Sequence, residues 1–65
     1  MSDVYDLVDI YQRLTLDARK VKPEEKKRFV ALVNKALREN WAEKAMGGED
    51  VMAPMIGVRD RYRAA

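Results

Sequence analysis

Histidine and cysteine, the side chains that carry much of enzymatic acid–base and nucleophilic chemistry, are both absent from this 65-residue chain. Histidine is the commonest general base and transition-metal ligand. Cysteine would supply a thiolate nucleophile, a zinc ligand or a disulfide. The hydroxyls are those of Ser2, Thr15 and three tyrosines, and no imidazole exists to activate them. Asp6 and Asp9 are better explained by helix-dipole and pairing effects than by acid–base work. Gly47-Gly48 lacks the following Lys-Ser/Thr of a phosphate-cradling loop. The sequence therefore predicts no enzyme, no cofactor, no metal site and no small-molecule substrate.

Charge and apolar contact remain. Arg19, Lys20 and Lys22, with Lys26, Lys27 and Arg28, form one basic cluster, interrupted by Glu24 and Glu25. Arg59, Arg61 and Arg63 around Tyr62 form a second. Clustered cations neutralise phosphates, and an aromatic among arginines can stack on bases. The plainer reading is a solvated helix junction and a solubilising terminus. A recognition helix over 50–63 would carry few polar base readers such as Asn or Gln.

The positions of these residues depend on the helices that hold them. Val4, Leu7, Tyr11, Leu14, Ala18 and Val21 recur at alternating steps of three and four, which keeps one stripe on one side of a helix. Val8 and Ile10 widen it. Ser2 is a suitable N-cap, and Asp3 and Asp6 suit the first turns. Asp9, Arg13 and Asp17, four apart, can pair along the exposed side. The spacing predicts a first helix over about 3–20. An end near Leu14 with a new turn at Thr15 is the alternative, because Leu16 falls off the stripe.

Lys22-Pro23-Glu24-Glu25 is the clearest punctuation. Proline suits the first helical position, and two acids follow. A second helix is expected over about 23–46, with Phe29, Val33, Leu37, Trp41 and Ala45 four apart. Gly47-Gly48 is its expected stop. The short connection makes the two helices antiparallel neighbours. Asp50 is placed to cap a third helix over about 50–63, with Pro54 in its first turn and Val51, Met55, Val58 and Tyr62 sharing a stripe. Gly57 weakens that helix, and a docked arm is the alternative. Met46, Met52 and Met55 read as flexible gap-fillers.

The expected fold is one all-α domain: an antiparallel helical hairpin plus a short third helix or C-terminal arm. A 37% charged and 48% hydrophobic composition fits a folded helical domain rather than a disordered tail. A core this small supplies only ~3–5 kcal/mol. With no disulfide or thiolate metal site, association is the remaining support, and a homodimeric bundle is expected. Leu7, Leu14, Val33 and Leu37 are its expected core. Tyr5, Leu16, Phe29, Leu32 and Trp41 are apolar surplus and form the candidate partner surface. Trp41 also reads as a core filler.

The best-supported function is protein–protein interaction, as an adaptor, regulator, inhibitor or accessory subunit, with a protein partner or a second copy. A nucleic-acid-binding regulator, using Arg19, Lys20, Lys22, Lys26, Lys27, Arg59, Arg61 and Arg63, is the second reading. A self-assembling structural component is the third. No run nears the ~18 apolar residues of a membrane span. The acidic start is unlike a secretory signal, and the acidic polar side of the first helix is unlike an interfacial helix. A cytoplasmic protein without membrane contact is the expectation.

Overall fold

The computed structural model describes residues 2–45 and 47–63. Among them are four α-helices and one 3-10 turn, with no strand: α1 (Asp3–Asp17), the turn Ala18–Lys20, α2 (Pro23–Glu39), α3 (Trp41–Lys44) and α4 (Glu49–Arg63). The all-helical class therefore stands. Met46, where the second helix was expected to end, lies outside the described residues.

α1 starts where expected. The Ser2 hydroxyl accepts from the Val4 and Tyr5 N–H groups at 3.2 and 3.5 Å. Leu7, Ile10 and Leu14 are buried, as is Val21 beyond the turn, and Val4, Tyr11 and Ala18 pack against them. The helix ends at Asp17, later than the Leu14 alternative and earlier than residue 20. Asp17 goes extended and its carboxylate accepts from the Arg19 N–H at 3.1 Å, a local bond that competes with helix continuation. Arg13 pairs with Asp9 at 3.1 Å, while Asp17 takes Arg19 instead.

α2 starts at Pro23 as expected but stops at Glu39, short of residue 46. Asn40 adopts the left-handed conformation (φ 58°, ψ 48°), with its N–H donating to the Ala36 carbonyl. Asparagine is among the few residues that tolerate this geometry. The turn brings Trp41 and Ala42 into the core. The core face of α2 is Phe29, Leu32, Val33 and Ala36, not the four-apart series. Four residues advance a helix about 40° beyond one full turn, so Leu37 has rotated off the face and is 46% exposed.

α4 is a helix rather than an irregular arm. It begins at Glu49, one residue before the expected cap, with the Val51 N–H donating to the Gly48 carbonyl. Pro54 consequently sits in the second turn, not the first. The buried stripe is Met52, Met55 and Arg59, and Val51 is exposed. α2 is the central element, touching α1 on one side and α4 on the other. Ion pairs Asp3–Lys35, Asp6–Arg28 and Arg13–Glu25 join α1 to α2. Lys26–Tyr62 and Asn34–Arg59 contacts join α2 to α4.

Gly57 is the weak point of α4. Its backbone does not require glycine, and a Cβ there would meet nothing within 4 Å. Gly57→Ala is expected to stabilise the domain by about 0.5–1 kcal/mol through helix propensity. For a domain this size, 1 kcal/mol raises Tm by roughly 4–8 °C; thermal melting by circular dichroism reads the shift.

Candidate functional site

The three elements around the Asn40 turn leave a groove of about 370 Å³. Leu37 from α2 and Ile56 from α4 supply its larger apolar surfaces, and the buried Met52 also lines it. Ala36, Ala42 and Ala53 line it with methyl groups only, and these short side chains leave the space open. Polar contributions come from Asn40 and Glu49. Asn40 donates from Nδ2 to Glu43 Oε2 at 3.1 Å, which ties a second carboxylate to the same turn. Glu39, Glu43, Glu49 and Asp50 join no ion pair among the described residues. Four unpaired acids in residues 38–50, against Arg38 and Lys44 in that stretch, give this end of the fold a net acidic character.

The five residues expected to face a partner divide. Phe29, Leu32 and Trp41 are buried within the chain, so they are core and not a contact surface. Phe29 stacks on Tyr11 with centroids 6.3 Å apart, and Trp41 Nε1 donates to Glu39 Oε1 at 3.4 Å. Tyr5 and Leu16 are exposed, at 68% and 85%. They stand about 16 Å apart along α1 at its 1.5 Å rise per residue, too far to form one compact patch. Leu16 borders a separate hollow with Arg13, Asp17, Lys20 and Val21. The pattern of four-residue steps hid the groove. Two signals marked it: Asn40 as a helix stop, and alanines at 36, 42 and 53, each beside a large apolar residue (Leu37, Trp41 and Met52).

The two basic clusters, more than 30 residues apart in sequence, meet at the other end of α2. Lys26 Nζ lies 5.4 Å from the centre of the Tyr62 ring, and Pro23, Lys26, Lys27 and Tyr62 enclose a hollow of about 190 Å³. Lys20, Lys22, Lys26, Lys27 and Arg61 join no ion pair among the described residues. Arg59 does not belong with them. It is buried, with Nη1 donating to Asn34 Oδ1 at 2.6 Å and Nη2 lying 2.9 Å from Asp60 Oδ1. Arg19 pairs with Asp17 at 3.5 Å and Arg63 lies 3.9 Å from Asp60. Arg28 is held by Asp6 at 2.8 Å and Asp3 at 3.6 Å.

Lys35 Nζ donates to Asp3 Oδ2 at 2.7 Å. This hydrogen bond, and then the lysine charge, hold the Asp3 carboxyl below its ordinary 3.8, with burial opposing. The same bond raises Lys35 above its ordinary 10.5. The folded chain therefore binds the Asp3 proton less readily than the unfolded chain. The contribution of Asp3 is full above its unfolded value and is lost as pH falls through the lower folded one. That of Lys35 is present below 10.5 and lost as pH rises through the raised value. Asp3→Asn is expected to make urea stability fall less steeply below about pH 4. An acid limb as steep as that of the wild type would remove the pair from the account.

Among the described residues no cluster of three His, Cys, Asp or Glu side chains could hold a metal ion. No helix there is long and apolar enough to cross a membrane. No protein-family model, curated protein or solved structure matches the chain.

Proposed function

We propose that this chain is a small non-enzymatic protein–protein interaction module whose groove receives a basic amphipathic helix of a partner. The single observation that carries the reading is the placement of Leu37. It is a large apolar side chain, nearly half exposed, at an open groove walled by Met52 and Ile56. Binding grooves for amphipathic helices take apolar anchors spaced i, i+3, i+4 and i+7. Here the anchors would pass between Leu37 and Ile56, over the alanines. The unpaired acids at the same end favour a partner helix with lysine or arginine along its flanks.

In this reading α1 and α2 form an antiparallel hairpin, with α4 packed on the second face of α2. The descending order of the α2 partners along α1 supports it: Lys35, then Arg28, then Glu25. A homodimer is the version in which a second copy supplies the partner surface. Phe29, Leu32 and Trp41 are covered within one chain and do not require a second copy.

Calorimetric titration tests the reading with two 18-residue amphipathic helical peptides of one apolar pattern, one Leu/Lys and one Leu/Glu. The Leu/Lys peptide is expected to bind in the micromolar range, at least tenfold more tightly than the Leu/Glu peptide. Equal binding would refute the charge selection, and absence of binding by both would refute the groove. Light scattering in parallel identifies a second copy as occupant if the chain is a stable dimer that excludes the peptide.

A further inference from the structure

We propose that the end of the fold opposite the groove is a binding surface for the phosphate backbone of nucleic acid, independent of base sequence. The fold itself carries the inference. It places the start of α2 beside the end of α4, so Lys26 and Lys27 meet Tyr62, with Lys22 immediately before Pro23 at the N-terminus of α2. Lys20 lies in the adjoining 3-10 turn. Residues 26 and 37 stand about 16 Å apart along α2, so this surface and the groove are separate.

The free charges are selected by the structure, not by composition. Of the eight cations that the sequence offers for phosphate contact, Arg59 is consumed by Asn34 and Asp60, Arg19 by Asp17, and Arg63 is near Asp60. The other five join no ion pair among the described residues, and Lys26 and Lys27 share one hollow with Tyr62. Glu24 is the one acid of α2's first turn that no cation neutralises, since Glu25 is paired with Arg13. Lys26 is steadied over the Tyr62 ring, which reduces the rotamer freedom lost on binding.

Nucleic acid fits this surface better than a bilayer does. Interfacial binding needs an apolar face beside the cations. Among the described residues the exposed large apolar side chains are Tyr5, Leu16, Leu37 and Val51, and of these only Leu16 borders the basic end, beside Lys20. The surface also lacks Asn or Gln side chains that would read base edges, so contact is with phosphates and depends strongly on salt.

The test is fluorescence anisotropy of the full chain with a labelled 25-base-pair duplex of arbitrary sequence, between 50 and 200 mM salt. Binding is expected in the range of non-specific association, with a dissociation constant of about 10⁻⁴–10⁻⁶ M at physiological salt. The triple variant Lys22→Ala, Lys26→Ala, Lys27→Ala is expected to weaken binding at least tenfold at 50 mM. It should also reduce the log–log salt slope by roughly 2–3, about 0.9 per lost phosphate contact. Arg38→Ala with Lys44→Ala, two cations toward the other end of the chain, is expected to leave both quantities unchanged, as is the groove variant Leu37→Asp. Circular dichroism confirms that each variant is folded. The proposal is overturned if the wild type does not bind the duplex at 50 mM salt. It is equally overturned if the triple variant binds as the wild type does, or if vesicles with 30% phosphatidylserine bind and the duplex does not. Failure here leaves the groove untouched, because Leu37→Asp and the peptide titration report on that separately.

Discussion

Phe29→Ala is expected to leave about half or more of the chains unfolded at 25 °C. Phe29 is fully buried in the middle of α2, the helix that touches both α1 and α4, and its ring stacks on Tyr11. Truncating such a side chain removes its transfer free energy and leaves a cavity, together about 3–5 kcal/mol. A single core in a chain this short supplies only ~3–5 kcal/mol in all. The two quantities meet, so the folded fraction falls to about one half or below. Circular dichroism at 222 nm and urea titration read this directly. A retained cooperative transition with a loss under about 1 kcal/mol would mean that Phe29 is a surface contact. Tyr5→Ala is the matched control, because its ring is mostly exposed, and its effect is expected within ~0.5 kcal/mol.

Leu37→Asp is expected to abolish groove binding without unfolding the domain. Leu37 leaves nearly half its surface in water, so a polar replacement loses less packing there than at Phe29. At the groove, an aspartate would desolvate against Met52 and Ile56 and would remove an apolar wall. Central anchors of an interface cost 2 kcal/mol or more when removed, and 2 kcal/mol is about 30-fold in affinity. The Leu/Lys peptide is therefore expected to bind at least 30-fold more weakly, with the urea midpoint nearly unchanged. Leu16→Asp, at the most exposed leucine, is expected to bind as the wild type does. Equal losses for both leucines would mean that peptide binding reports apolar exposure in general.

The first helix was almost wholly legible. A stripe with alternating steps of three and four follows the 3.6-residue turn closely, so Leu7, Leu14 and Val21 fall in the core and Leu16 outside it. The start of α2 was legible for an equally local reason, since Pro23 and two glutamates are favourable only at a helix N-terminus. Beyond Ala36 the reading failed, because the outcome depended on tertiary burial. Steps of four drift around the helix, and the left-handed turn at Asn40 is favoured by covering Trp41 rather than by any local pattern. The drift carried Leu37 off the core face to the groove, and the turn brought Trp41 into the core. The basic surface was half legible: both clusters could be seen in the sequence. Their meeting, and the loss of Arg59 to Asn34, required the packing of α4 against α2.

The groove beside Asn40 is the proposed docking surface. The most direct measurement is the change in backbone amide NMR shifts as the Leu/Lys peptide is added to the isotope-labelled chain. The largest shifts are expected in residues 36–42 and 49–56, with the outer face of α1 little changed. Shifts centred on Tyr5 and Leu16, or spread evenly over the chain, would contradict it.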